Sequence, residues 1–207
     1  ELEKKKKNKE KSIKKIEKKS STLKDKIKTK KNLILNMQKQ IQNLISDKES
    51  AKKLEEELAK RRSQKNKSTS GNFAKMKGKL NWPTDNGIVI EKFGMHTNSE
   101  LHTQIPNIGI EIKANKNSPI YPVLDGSIYS ITYNREYGNI IMISHGDGYY
   151  TVYTSIDNIS VNQNDYIEID NKIGEVSKSK ITNQYSFNFQ IYKNKENLNP
   201  EIWLKKK

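Results

Sequence analysis

The chain has 207 residues, no cysteine, and 39 Lys or Arg against 24 Asp or Glu, a formal charge of +15. The missing cysteines exclude a disulfide framework and any thiolate metal site. No stretch approaches the roughly 18 apolar residues of a membrane span, and there is no apolar signal region.

The charge is lopsided: residues 1–67 hold 24 basic and 10 acidic side chains, and residues 68–207 hold 15 and 14. A basic arm of this kind suits nucleic acid or an anionic surface. Its lysines are not interleaved with the aromatics that a single-strand platform uses. A solvated helix face is therefore the expectation, with no nucleic-acid partner. The chain begins at Glu1 rather than Met, which reads as a mature form or fragment from which an export signal or anchor has been removed.

From Ser12 to Arg62 there is no Gly or Pro, and apolar residues recur at heptad spacing. Ile13, Ile27, Ile34 and Ile41 fall at a positions, and Ile16, Leu23, Met37, Leu44, Ala51 and Leu58 at d; Ser20, Lys30, Lys48 and Glu55 break the seam. This predicts a coiled-coil helix over 1–62, about 70 Å long from Ile13 to Leu58. Its apolar stripe needs a cover, expected from another chain or another helix of the same protein. Residues 63–78 read as a linker, rich in Ser, Asn, Lys and Gly at its start.

Past Trp82-Pro83 the pattern becomes short β-branched and aromatic runs between turn residues. Strands are predicted at 88–93, 109–112, 120–123, 127–134, 139–144, 149–154, 171–176 and 187–192. Gly146-Asp147-Gly148 is a hairpin turn, because Gly and Asp tolerate positive φ. The second domain, 79–207, is thus expected to be almost all β, antiparallel, and large enough to bury its own core.

The turns and strands of this domain resemble the LytM, or M23, peptidase domain, and most closely EnvC-like murein hydrolase activators, which carry a coiled coil before it. The resemblance rests on order and spacing: Gly78-Lys79-Leu80-Asn81-Trp82-Pro83, Phe93-Gly94, Gly109-Ile110-Glu111-Ile112, Asp125-Gly126, Tyr137-Gly138-Asn139, His145-Gly146-Asp147-Gly148 and Asn199-Pro200-Glu201-Ile202-Trp203-Leu204. By this resemblance, active members hold zinc with a His and an Asp of an H-x-G-x-D stretch and the second His of an H-x-H strand. Such a site leaves the fourth position open for a water whose pKa the metal lowers.

Carried over, the ligand His falls on Asn107, the Asp on Glu111 and the ligand His of H-x-H on Asn188. The assisting histidines fall on Ser186 and, through Tyr153-Thr154-Ser155, on Ser155. Amides and hydroxyls are poor zinc ligands, and one carboxylate makes no zinc site. His96 and His102 lie near Glu100 in a loop-like stretch of undiagnostic spacing, and His145 sits where the family has a structural His. Asp165, Glu168 and Asp170 read as a solvated turn. No Cys nucleophile, phosphate loop or G-x-S-x-G elbow is present.

No metal, cofactor or catalytic residue is therefore expected. The resemblance implies a periplasmic, envelope-associated, non-catalytic activator that docks a peptidoglycan amidase in the vacated groove. The residues expected there are Asn107, Glu111, Tyr137, Tyr153, Ser155, Ser186, Asn188 and Tyr192. It also implies a link from the coiled coil to an FtsE-FtsX type ABC complex, with the helix as the returning arm of a hairpin begun before Glu1. A peptidoglycan-binding structural protein is the alternative from a different class, and a residual zinc endopeptidase a third.

Overall fold

The computed structural model of the protein describes residues 2–46, 52–53, 56–61, 73–98 and 103–206. The start of the expected linker, the seam position Ala51 and the residues Glu100 and His102 lie outside them. Among the described residues no helix is long and apolar enough to cross a membrane.

The N-terminal element is one α-helix, α1, Leu2–Ile45, 44 residues and about 66 Å long. It forms because nothing in it breaks the backbone ladder. The expected single helix from Ile13 to Leu58 is not seen. α1 ends at Ile45, with Ser46 in a turn whose hydroxyl donates to the Gln42 carbonyl at 2.6 Å. Residues 56–61 are helical again, and Leu58 is buried.

The β domain is built on a ten-stranded antiparallel sheet. Along its main path run β1 (Ile88–Glu91), β4 (Ile110–Lys113), β11 (Ser186–Lys193), β8 (Tyr149–Asp157), β7 (Gly138–Ser144), β6 (Gly126–Asn134) and β9 (Tyr166–Ile167). β5 (Pro119–Ile120) and β10 (Gly174–Val176) pair beside β8, and β12 (Glu196–Leu198) extends β11. A separate hairpin, β2 (Gly94–Asn98) and β3 (Thr103–Asn107), stands off the sheet where a loop was expected. Gly146, Asp147 and Gly148 all have positive φ, so the β7–β8 turn is made as its residues predict.

Alternation sorts the long strands between two cores. Ile141, Ile143, Tyr153, Phe187, Phe189 and Ile191 point to one face, into the main core. There Phe73, from a short 3-10 helix (Phe73–Met76), stacks on the Tyr149 ring and meets the His145 ring at a tilt, each at 4.9 Å. The opposite face carries Ile140, Met142, Tyr150, Val152 and Tyr192, and these pack against Ile34, Met37, Ile41 and Ile45 of α1.

The stripe on α1 is therefore covered by the sheet rather than by another helix. Met37 and Ile41 are 2 % exposed, whereas Ile13 and Ile16, nearer the N-terminus, are 54 % and 66 % exposed. A heptad stripe is an apolar face and does not name its cover. Here the vacant face of the sheet takes its C-terminal half.

Candidate functional site

The groove lies on the sheet face beneath α1, where β4, β8 and β11 run side by side. Glu111 on β4 and Asn188 on β11 are register partners, and Ser186 pairs with Lys113 two residues along, on the same face. Asn107 closes β3 immediately before the β4 strand, and Gly109 between them permits the approach. A Cβ at Gly109 would stand 2.3 Å from the Phe189 carbonyl oxygen.

Ser155 enters the groove by a different device. It has φ 56°, and the β7–β8 register slips at this point, so it departs from the alternation of β8. Its hydroxyl donates to the Tyr137 carbonyl at 3.2 Å.

Asn107, Glu111, Tyr137, Ser155 and Asn188 line one cavity together with Lys30, Ile34 and Met37 of α1. Only about 30 Å³ remains open there, room for roughly one water. Ser186 adjoins it through Glu111, and Tyr192 lies farther along the face, buried under α1. Tyr153, expected in the groove, points instead into the main core, its ring 5.2 Å from that of Phe189. The pleat explains this: Val152 and Thr154 face the groove side, so Tyr153 between them cannot. Its hydroxyl accepts the Val123 N–H at 3.2 Å.

Where a metal centre would stand, amides form a directed hydrogen-bond chain. The Tyr192 hydroxyl donates to Gln190 Oε1 (3.0 Å), and Gln190 Nε2 donates to Asn188 Oδ1 (2.8 Å). Asn188 Nδ2 then donates to Asn107 Oδ1 (3.3 Å), and Asn107 Nδ2 to the Lys92 carbonyl (2.9 Å). The side-chain oxygens of Asn107, Asn188 and Gln190 thus each already accept a hydrogen bond. Gln190 was not among the eight contact residues expected in the groove, but the alternation that it shares with Ser186 and Asn188 puts it on this face.

Two carboxylates line the cavity, Glu91 and Glu111, and Glu111 is the buried one. Ser186 Oγ donates to its Oε1 at 2.5 Å. Burial nevertheless holds its pKa above the ordinary value, with the hydrogen bonds from Ser186 and Asn188 pulling the other way. Burial likewise pushes the Tyr137 phenol up, and its hydroxyl has no hydrogen-bond partner under α1. A buried hydroxyl left unpaired costs about 1–3 kcal/mol, so α1 is an imperfect complement to the groove.

The two described histidines, His96 and His145, do not rebuild a centre. His145 is buried with Nδ1 2.9 Å from the Asp125 carbonyl, which fixes the proton on that nitrogen, and Nε2 2.8 Å from Thr151 Oγ1. His96 sits on β2, its Nε2 2.6 Å from the Lys92 carbonyl. Among the described residues no group of three His, Cys, Asp or Glu could hold a metal ion. The donor set at 107, 111 and 188 does not fit zinc, and no hydrolytic step can be built on it.

α1 crosses the groove and is tied at several points. Lys30 Nζ reaches both Glu91 carboxylate oxygens at 3.1 and 3.2 Å. Gln38 Nε2 donates to Asn197 Oδ1 at 2.9 Å, and the Tyr129 hydroxyl to the Leu44 carbonyl at 2.8 Å. Each buried aliphatic anchor contributes about 1.5–3 kcal/mol of transfer free energy, and the half-exposed ion pair about 0–1 kcal/mol. The apolar stripe therefore holds α1 down, and the polar ties set its register.

Residues 105–200 match peptidase family M23. The chain is 32% identical over 124 residues to the murein hydrolase activator NlpD of Salmonella dublin, covering 59% of this chain and 30% of that protein. It is 26% identical over 120 residues to the cell division protein DipM of Caulobacter vibrioides, covering 58% and 19%. It is 23% identical over 137 residues to the murein hydrolase activator EnvC of Escherichia coli, covering 66% and 32%. The chain thus spans about a third or less of the length of these relatives.

Among solved structures, the fold is similar to a chain of the SpoIIQ–SpoIIIAH pore-forming complex, with TM-score 0.54 and 22% identity over 63% of this chain and 92% of that one. It is similar also to a zinc-containing peptidase from Vibrio cholerae, with TM-score 0.54 and 18% identity over 58% and 38%. Residues 105–200 are thus similar to the M23 peptidase domain and to the murein hydrolase activators, and Asn107, Ser155, Ser186 and Asn188 stand at the positions where the resemblance puts histidines.

Proposed function

We propose that this chain is a non-catalytic activator of peptidoglycan amidases, which docks the hydrolase in the vacated metallopeptidase groove. The observation that carries this reading is the replacement of the metal centre by a closed chain of amides on an otherwise intact M23-like sheet. A cleft that no longer holds a metal retains its shape and its apolar floor, and such a cleft suits a protein segment. The murein hydrolase activators NlpD and EnvC, to which the β domain is similar, support the same assignment.

In this reading the groove residues are Asn107, Glu111, Tyr137, Ser155, Ser186, Asn188 and Tyr192, with Gln190 added and Tyr153 removed. α1 over the groove is the resting, closed state. Residues 1–62 act as the arm, 63–78 as the linker and 79–207 as the docking domain. The exposed Ile13 and Ile16 end of α1 pairs as a coiled coil outside the β domain, toward an FtsE-FtsX type ABC complex at the cell envelope. Pulling on that end would free the groove.

The test is dye release from labelled cell wall by the chain alone, by a candidate amidase alone, and by both. A Met37→Asp, Ile41→Asp chain with α1 released is run beside the unaltered one. Release from the mixture, greater with the opened chain, is expected. Release by the chain alone that depends on zinc, or no gain from the opened chain over amidase alone, overturns the reading.

A further inference from the structure

Glu91 on β1 and Glu111 on β4 are direct register partners, so two carboxylates stand opposite each other at one end of the groove. Like charges in that position destabilise a sheet unless a cation lies between or beside them. Lys30 of α1 is the cation present. Its ammonium bonds both oxygens of Glu91 and lines the same cavity as Glu111. It also breaks the apolar seam of α1, four residues before Ile34 and seven before Met37.

We infer that the groove reads its occupant by charge as well as by shape: a helix that displaces α1 carries a Lys or Arg four residues before its first apolar anchor, set on the Glu91–Glu111 pair. This rests on the groove being the partner's docking surface, and it adds the sequence feature a partner must have. The rest of the groove is uncharged apart from Lys30 itself, lined by apolar side chains, amides and hydroxyls, so these carboxylates are what can fix an incoming helix's direction and register. Two further observations agree. Both Glu91 and Lys30 act electrostatically on Glu111, with opposite signs. The unpartnered Tyr137 hydroxyl leaves room for a competitor that bonds it to bind better than α1 does.

The experiment measures binding of a labelled peptide of residues 27–46 to the full chain opened by Met37→Asp and Ile41→Asp, using fluorescence anisotropy. The unaltered peptide is expected to bind, and its Lys30→Glu version to bind about tenfold more weakly or worse, since it sets a third negative charge on the pair. Glu91→Lys in the opened chain is expected to restore the Lys30→Glu peptide. Equal binding of both peptides overturns the charge requirement and leaves the groove as a docking surface intact. No binding of either peptide overturns both. Should the opened chain fail to fold, α1 amide hydrogen exchange in the otherwise unaltered chain gives the same reading. Lys30→Glu should speed exchange and Glu91→Lys with it should slow it again, whereas no change in either variant overturns the inference.

Discussion

Ser186 Oγ donates a 2.5 Å hydrogen bond to Glu111 Oε1, joining two positions at which the resemblance places a catalytic His and a metal-binding Asp. The bond satisfies one carboxylate oxygen, but burial still favours the neutral acid. The folded pKa therefore lies above the unfolded one, so the folded state binds the proton more tightly. Stability from this group is complete below the unfolded value and is lost as pH rises through the folded one. Glu111→Gln removes the titration and keeps an oxygen for Ser186 to bond. The variant should be more stable than the unaltered chain at neutral pH and less dependent on pH above the ordinary Glu range. Urea midpoints across a pH series test this, and parallel curves for the two chains would refute it.

Met37 and Ile41 are the most deeply buried anchors of α1, and Ile13 and Ile16 are solvated. Truncating Met37 or Ile41 to Ala should weaken docking of α1 by about 2–5 kcal/mol, the usual range for a buried aliphatic side chain. Ile13→Ala should stay within about 0.5 kcal/mol. Hydrogen exchange separates the regions. Amides of α1 should lose protection in the first two variants, with the strands of the main core unchanged. Equal protection of α1 in all three variants would mean that the stripe does not hold it.

How far the fold can be read from the chain differs between elements. The parity of Ser186-Phe187-Asn188-Phe189-Gln190-Ile191 is unambiguous, because the aromatic and aliphatic positions alternate with polar ones, and the structure sorts them accordingly. Tyr153 was legible by the same rule, since it pairs with Phe189, but the Y-x-H correspondence outweighed the pleat. The β2–β3 hairpin was not legible: Met95 to Asn98 and Thr103 to Asn107 lack alternation, and Pro106 argues against a strand. Nor was the cover of α1. Ile34, Met37 and Ile41 have the spacing of a helix seam, and local period carries no information about a sheet more than sixty residues away.

Gly109 stands between Asn107 and Glu111 because β4 and β11 meet there without room for a side chain. A Cβ would fall 2.3 Å from the Phe189 carbonyl oxygen and 2.7 Å from Asn188 Oδ1. The first obstacle is backbone and cannot rotate away, so Gly109→Ala must spread the two strands. The expected cost is about 1–3 kcal/mol or more, together with loss of the Asn188–Asn107 hydrogen bond. Thermal unfolding measures the first, and amide side-chain shifts of Asn107 and Asn188 report the second. An unchanged midpoint would show that the strands are not in such close contact.

The degenerate centre can be tested by rebuilding it. The Asn107 and Asn188 amides already touch at 3.3 Å, and Glu111 faces Asn188 in register, so the backbone still brings the three ligand positions together. Asn107→His, Glu111→Asp and Asn188→His in one chain restores two imidazoles and a carboxylate, enough for a zinc ion with one open position. This variant should bind zinc in competition with a chelator and gain thermal stability when loaded, while the unaltered chain does neither. Cell-wall hydrolysis should not follow from these changes alone, because Ser155 and Ser186 stand where the assisting histidines would be and α1 covers the site. If the unaltered chain binds zinc as tightly as the variant, the amides at 107 and 188 are not what abolished the metal. If the variant binds none, more than the donor atoms has drifted.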